Sequence, residues 1–464
     1  MNRVSLKLMQ TWAGFGSRYL PFADVATADL PLGRLLRLSL FQVTVGMALV
    51  LLVGTLNRVM IVELDVPASL VGVMISLPLL FAPFRALIGF KSDTHQSALG
   101  WRRVPFIFRG TMIQFGGLAI MPFALLVLSG GGESARYPIW VGHLGAGVAF
   151  LLVGAGLHTV QTIGLALATD LTPPESQPKV VGLMYVMLLL GMIVSAICFG
   201  AALEEFSPLR LIQVIQACAV ITLTLNGVAA WKQEGRHAAR RNPMRRQPSF
   251  RESWDSFAQG GHAVRRLLAV GFGTMGFSMA DILLEPYGGQ VLHLSVGATT
   301  SLTATLAGGG LLGLALASRV LSRGADPFRM ASYGAMVGVP AFLLVIGAAP
   351  LQTPALFALG TLLVGFGAGL FGHGTLTSTM VMAPRDQVGL ALGAWGAAQA
   401  VAAGLAIALG GILRDIVASS PVQGEFGHAT GYMSVYALEI ILLIWTLVAM
   451  APLMRKGLAA STAP

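Results

Sequence analysis

The chain has 464 residues, of which 55% are apolar and only 11% are Asp, Glu, Lys or Arg. A soluble domain usually carries about 25% charged residues, so this composition excludes an ordinary water-soluble enzyme. The formal net charge is +10. In a membrane protein, an excess of Lys and Arg first reports the orientation of the chain.

Residues 1–35 are predicted to form an N-terminal amphipathic segment at the membrane interface. Val4, Leu8 and Trp12 recur at helical spacing, while Arg3 and Lys7 fall on another face. Such a pattern is typical of a short helix that lies in the interface and does not cross the bilayer.

Twelve apolar runs, each about as long as the 20 residues that cross a bilayer, follow this segment. We number them spans 1 to 12. Their centres lie near Ala48, Leu79, Leu118, Val153, Leu190, Ala219, Met275, Leu311, Met336, Gly367, Ala400 and Ile441. The predicted fold is all-α, with a six-helix half over 36–231, a basic loop over 232–265, a second six-helix half over 266–455 and a tail over 456–464.

An even number of spans puts both termini on one side. The connections on that side hold 24 Lys and Arg residues, and those on the other side hold three. Because loops rich in Lys and Arg stay in the cytoplasm, both termini are predicted to be cytoplasmic. The central loop is read as a topology anchor and tether that can touch anionic lipid headgroups. It shows no aromatic interleaving, so a nucleic acid partner is not expected.

An internal repeat relates the two halves. The sequence Val-Gly-Leu restarts the chain at 181–183 after span 4 and again at 388–390 after span 10. The loop between spans 2 and 3 holds Gly89, Asp93, Gly100, Arg102 and Arg103, which resembles the signature loop of the major facilitator superfamily. Its spacing is longer than usual and its counterpart near 319–329 is degenerate. The match therefore favours the superfamily's six-plus-six fold more than its transport activity.

Glycines recur four residues apart in spans 8, 10 and 11. The pairs are Gly309 with Gly313, Gly365 with Gly369, and Gly389 with Gly393. Small residues at this spacing let membrane helices approach closely, so we expect these pairs at helix contacts.

Four polar residues lie inside spans 1 and 7. Asp281 and Glu285 are four residues apart, which would place them on one face of a continuous helix. Arg58, which follows Asn57, reaches a similar depth in span 1. Since spans 1 and 7 are counterparts in the repeat, we predict that Arg58 pairs with Asp281 or Glu285. The pair could be a static latch between the halves or part of a ligand or proton site; snorkelling to the interface is the third option. Glu439 in span 12 has no evident partner.

Two histidines lie near mid-membrane in corresponding spans. His158 precedes Asp170 by 12 residues and shares a helix face with Gln161, and His373 precedes Arg385 by 12 residues. A histidine in a span is often a hydrogen-bonded packing residue. Ligation of a pigment metal, or lining of a substrate cavity, is the alternative; no direct metal site is predicted.

Several longer strings resemble the PucC/LhaA family of phototrophic bacteria over nearly the whole chain. They are LPFAD (20–24), LSLFQVTVGM (38–47), GTLNRVMIVE (54–63), LHTVQT (157–162), LALATD (165–170) and FSMADILLEPYGG (277–289).

This resemblance implies an assembly factor for bacterial light-harvesting antennae. Such a protein would deliver bacteriochlorophyll a, and as a further cargo a carotenoid, to the single-span alpha and beta polypeptides of the core or peripheral antenna (LH1 or LH2), or chaperone their oligomerisation. The resemblance also implies bacteriochlorophyll synthase and the membrane insertion machinery as partners. It places the protein in the inner, intracytoplasmic photosynthetic membrane, with His158 or His373 as a candidate axial ligand of the pigment magnesium and Gln161 nearby.

Two other functions compete with this one. The first is a proton-coupled secondary transporter of a small organic or tetrapyrrole substrate, with Asp281 or Glu285 as the coupling carboxylate. The second is a scaffold at the antenna rim. An enzyme is not expected, because the sequence shows no phosphate-binding loop, triad spacing or metal-ligand cluster, and hence no NAD or ATP site.

Overall fold

The computed structural model describes residues 31–80, 88, 92, 101–130, 132–173, 176–234, 263–382, 388–420, 427 and 429–461. These residues form helices and turns, with no β-strand among them. Three predictions fall wholly or mainly outside the described residues: the interfacial segment, most of the basic loop, and the signature-loop residues Gly89, Asp93 and Gly100.

The first half begins with a long, irregular span 1. It is α-helical over Leu32–Leu38 and Leu40–Leu49 and π-helical over Val50–Leu56 and Val59–Glu63. Span 2 is described over Ala68–Leu80. The other helices of this half are Val104–Leu128, Ile139–Asp170, Gln177–Ala202 and Pro208–Ala230, with a 3-10 turn at Gly132–Arg136.

The second half begins with an interrupted span 7, described below. Its remaining helices are Val296–Leu321, Pro327–Leu351, Pro354–Met382, Val388–Ser419 and Ala429–Ser461. Among the described residues, eleven helices are long and apolar enough to cross a membrane, and the described part of span 2 is a shorter apolar helix. With that helix counted as a span, the predicted twelve are all present.

Side-chain caps fix where several of these helices begin. Ser207 accepts a hydrogen bond from the backbone of Arg210 at the start of span 6 (3.2 Å), and Asp326 accepts one from Phe328 at the start of span 9 (2.8 Å). Both spans continue with proline, whose missing N–H is not needed in a first turn. The caps therefore determine where spans 6 and 9 begin, which the apolar sequence of their interiors does not specify.

The two halves meet through glycines that leave no room for a side chain. A Cβ on Gly200 of span 5 would overlap Ser301 of span 8, and a Cβ on Gly411 of span 11 would overlap the backbone carbonyl of Ala68 in span 2. Close backbone approach replaces side-chain interdigitation at these crossings, as is common between helices in membranes.

Close backbone contact at glycines also joins spans 8 and 10 within the second half. A Cβ on Gly309 or Gly313 would overlap the carbonyl oxygen of Leu362 or Phe366, and one on Gly365 or Gly369 would overlap the carbonyl oxygen of Leu306 or Gly310. The close contact predicted for these two pairs is confirmed. Gly389 and Gly393 lie outside the residues whose surroundings the structure describes.

Gly309→Ala is expected to destabilise the protein by about 1–3 kcal/mol, because the new methyl group overpacks a backbone contact that cannot yield locally. Thermal unfolding of the purified protein in detergent, followed by size-exclusion recovery, measures the change. The matched control is Gly308→Ala, since Gly308 faces open space and alanine there favours the helix by up to about 1 kcal/mol. Equal transition temperatures for the two variants would contradict the packing described.

Candidate functional site

Span 7 is broken in the middle of the membrane domain. Its first helix, Ala263–Ser278, is followed by a 3-10 turn at Ala280–Ile282 and a second helix at Leu284–Gln290. Pro286 explains the break, because proline has no N–H to donate to the carbonyl of Ile282 four residues earlier. The prediction of one continuous helix carrying Asp281 and Glu285 on one face is therefore wrong.

Two buried side chains from other spans satisfy the backbone groups freed by the break. Asn57 of span 1 donates from Nδ2 to the Ile282 carbonyl (2.7 Å), and the backbone N–H of Ala280 donates to Oε1 of Glu439 in span 12 (2.7 Å). Both side chains are fully buried. Spans 1 and 12 thus hold the interruption of span 7 in place, and Glu439 has the partner that the sequence did not reveal.

A cavity of about 620 Å³, counting the space at its mouth, lies between the halves next to this break. It draws residues from spans 1, 5, 7, 8 and 10. They are Leu49, Val53, Gly54, Met192, Asp281, Leu284, Glu285, Leu302, Thr303, Leu306 and Thr361.

The two acids of span 7 both line this cavity. Glu285 is 4% exposed; one carboxylate oxygen accepts a hydrogen bond from the Thr303 hydroxyl, and the other has no partner among the described residues. Asp281 is half-buried and makes no hydrogen bond or ion pair that the described residues account for. The interruption of span 7 therefore brings the two acids together even though they do not share a regular helix face.

Arg58 pairs with a residue that the sequence did not predict. Its Nη1 lies 2.5 Å from Oε1 of Glu63, and its Nη2 donates to the Leu294 carbonyl (3.1 Å). In the described residues it forms no ion pair with Asp281 or Glu285, so that predicted pair is corrected. The reason is local: span 1 is π-helical here, and residues five apart lie one above the other in a π-helix.

Polar contacts close the ends of the spans that lie away from Leu32. Oε1 of Gln290 in span 7 accepts from Arg414 of span 11 (2.5 Å) and from the Tyr432 hydroxyl of span 12 (2.7 Å). Asp415 accepts from the backbone N–H of Ser69 in span 2 (2.7 Å). The Gln290 contacts hold spans 7, 11 and 12 of the second half together, whereas the Asp415–Ser69 and Arg58–Leu294 contacts join the two halves on that side of the cavity.

At the opposite end, Arg102 and Arg103 of the signature loop bind Asp170 at the end of span 4. Arg102 Nη2 and Arg103 Nε lie 2.9 and 3.0 Å from Asp170 Oδ2. The Glu234 carboxylate, which follows span 6, accepts from the backbone N–H groups of Arg102, Arg103 and Val104. An acid at a helix N-terminus satisfies free N–H groups and the helix dipole, so these residues organise the start of span 3.

The structure does not bring the histidines to the cavity. His158 and Gln161 are half-buried in span 4, and each makes an interaction. His373 is half-buried in span 10 and forms no hydrogen bond in the part of the chain that is described. None of the three is among the residues that line the cavity, and their role as pigment ligands stays a prediction.

Three residues of the site escaped the sequence analysis: Pro286, Glu439 as a partner of span 7, and Thr303. Pro286 did indicate the break, because a proline late in a span leaves a backbone carbonyl without its N–H donor. Another helix must then supply a donor for that carbonyl. Nothing in the sequence marked Thr303 as a site residue, because threonine is common in membrane helices.

Most of the site falls within a known family model. The model described as "PUCC protein" matches residues 55–458. Protein PucC of Rhodovulum sulfidophilum is 64% identical over 420 residues, covering 90% of this chain and 92% of that protein. Protein PucC of Cereibacter sphaeroides is 58% identical, covering 99% of both. A more distant relative, the "Bacteriochlorophyll synthase 44.5 kDa chain" of Rhodobacter capsulatus, is 26% identical over 92% of this chain and 96% of its own length.

Solved structures of transporters share the fold. A bacterial homolog of the human lysosomal transporter Spinster, in an inward-facing and unoccupied conformation, superposes with a TM-score of 0.65 at 14% identity, covering 90% of this chain and 95% of that one. A bacterial homologue of the iron transporter ferroportin, also inward-facing, gives a TM-score of 0.64 at 13% identity, over 90% and 97% of the two chains. At such identities the likeness shows the fold alone, an all-helical major-facilitator-like bundle.

Replacing Glu439 tests whether its hydrogen bond with the Ala280 N–H stabilises the break in span 7. Glu439→Met leaves the Ala280 N–H without an acceptor, which is expected to cost about 1–3 kcal/mol. Glu439→Gln keeps a carbonyl oxygen at the same place and should stay close to the parent protein. Thermal unfolding in lipid nanodiscs separates the two variants. If glutamine destabilised the protein as much as methionine, the hydrogen bond to Ala280 would not be the role of this side chain.

Proposed function

The chain belongs to the PucC family, and from this premise we propose that it is an assembly factor for bacterial light-harvesting antennae. It would bind bacteriochlorophyll and deliver it to single-span antenna polypeptides, or chaperone their oligomerisation. The family match over residues 55–458 is the observation that carries the proposal, and the similarity to a relative named for bacteriochlorophyll synthase supports the pigment. The proposed role is non-catalytic.

The multi-pass architecture suits an apolar cargo. The outer faces of spans 3 and 4 present large apolar side chains, among them Phe108, Phe123 and Trp140, each at least 60% exposed. Because the alternative solvent of a pigment or an antenna helix is lipid, such a cargo can be passed sideways between membrane surfaces without crossing water. The proposed cargo is bacteriochlorophyll a, with a carotenoid as a second candidate.

Of the two histidines, His373 is the better candidate for a pigment ligand. The magnesium of bacteriochlorophyll is bound by four ring nitrogens and takes a further ligand on its axis, which requires an imidazole nitrogen with a free lone pair. His373 makes no hydrogen bond with the described residues that would compete for its lone pair. The interaction of His158 does not exclude that residue, because a ligating histidine commonly donates its other ring N–H to a partner. A ligand at His373 would also lie outside the central cavity.

The proposed partners are the alpha and beta antenna polypeptides, with bacteriochlorophyll synthase and the membrane insertion machinery as further partners. The proposed location is the intracytoplasmic photosynthetic membrane. The predicted orientation, with both termini in the cytoplasm, would put the Arg102–Asp170 end of the bundle on the cytoplasmic side.

A secondary transporter is the second candidate function. The observation in its favour is a central cavity that holds two acids, in a fold shared with transporters. A transporter of this kind would need the contacts between the halves at Arg58 and Asp415 to open and close during each cycle.

Gentle purification from pigmented membranes tests the proposal. We expect bacteriochlorophyll in the absorption spectrum and small antenna polypeptides in the same fraction. His373→Ala should lower the bound pigment at least twofold without changing the elution volume. His143→Ala is the matched control, because His143 is also half-buried but lies near the end of span 4 away from Asp170.

The alternatives give different results in the same preparation. Antenna polypeptides without pigment would favour a scaffold. A colourless protein that performs proton-dependent uptake in liposomes would contradict the assembly role and support a transporter.

A further inference from the structure

The central cavity holds two carboxyl groups that form no ion pair with a basic side chain among the described residues. Asp281 and Glu285 both line it, and the lining includes no Lys, Arg or His among the described residues. Arg58 of span 1 is near enough to attract the Glu285 carboxylate electrostatically, but its ion pair is with Glu63 at 2.5 Å. An uncompensated acid inside a membrane protein is costly, so such residues mark sites that receive a counter-charge.

The buried acid presents an unused oxygen to this space. Glu285 is 4% exposed; Thr303 occupies one of its oxygens, while the other has no partner in the described structure. A Cβ on Gly54 of span 1 would strike the Glu285 carboxylate. The glycine thus lets the acid sit at the boundary between the halves, with a free lone pair available to a ligand.

The remaining walls are mostly apolar, with Thr303 and Thr361 as the other polar residues. Six of the eleven lining residues are aliphatic or methionine, and they surround the acids from four spans: Leu49, Val53, Met192, Leu284, Leu302 and Leu306. A small hydrated metal ion would lose water here without enough oxygen ligands in return, and no group of three His, Cys, Asp or Glu residues suited to a metal occurs in the described residues. A neutral ligand would leave both acids unpaired.

We infer that the central cavity binds a lipophilic organic cation, with Asp281 and Glu285 as the countercharge and the apolar walls as the contact for its body. This site is separate from the proposed pigment site and does not depend on the antenna role.

Two ions of nearly the same shape and opposite charge test the inference. Tetraphenylphosphonium and tetraphenylborate are each dialysed to equilibrium against the full-length protein in nanodiscs, with empty nanodiscs correcting for partition into lipid. The phosphonium is expected to bind saturably and the borate not to bind. Asp281→Asn and Glu285→Gln should each weaken phosphonium binding at least about tenfold, because each removes a buried countercharge.

Glu205→Gln is the control, because it removes an acid whose side chain is 84% exposed; affinity should stay within about twofold. If the cavity variants do not fold, Leu49→Trp fills the cavity without altering an acid and should abolish binding. The inference is overturned if the folded parent protein binds no phosphonium, if the borate binds equally well, or if neither cavity substitution nor Leu49→Trp changes the affinity. Pigment content is measured in parallel, so the antenna role is judged separately.

Discussion

The break in span 7 is the constraint on which the site depends. Pro286 cannot supply the N–H that a continuous helix would direct at Ile282, and the membrane interior offers no water to replace it. Asn57 supplies that donor from span 1, and Glu439 supplies an acceptor for Ala280 from span 12. Since each unpaired buried group would cost about 1–3 kcal/mol, spans 1, 7 and 12 are fixed to one another by the interruption itself.

The geometry of the cavity follows from this arrangement. The 3-10 turn brings Asp281 and Glu285 to the same space, and the second helix of span 7 carries Gln290 into the polar contacts with Arg414 and Tyr432. One end of the second half is therefore held by side-chain contacts, and Asp415 and Arg58 join that end to the first half. Elsewhere, glycines join the two halves through direct backbone contact. The proposed pigment ligand, His373, is not a lining residue of this cavity, so the proposed pigment site and the central cavity would occupy different parts of one scaffold.

The sequence was sufficient for the coarse architecture and for some contacts. Hydropathy and length predict each span because crossing a bilayer needs a long apolar helix whatever its neighbours are. Glycine spacing predicts the contact of spans 8 and 10 because only a missing side chain permits it. These features depend on local properties of the chain, and the structure agrees with them.

The contacts that were predicted wrongly or missed depend on residues distant in the chain or on irregular backbone geometry. Arg58 pairs with Glu63 because span 1 turns π-helical, which alters which neighbours stack. Glu439 acts on span 7, 159 positions away in the chain, and no pattern within span 12 could reveal that partner. Pro286 did signal the break, but its position alone does not say which side chains would satisfy the freed backbone groups.

A cryo-EM structure of the protein in lipid nanodiscs, at a resolution that shows side chains, tests the role of the interruption most directly. We expect the turn at Ala280–Ile282, with Glu439 within hydrogen-bond distance of the Ala280 nitrogen and Asn57 of the Ile282 oxygen, and with Asp281 and Glu285 facing one cavity. An unbroken α-helix from Ala263 to Gln290, with Asn57 and Glu439 directed elsewhere, would contradict it.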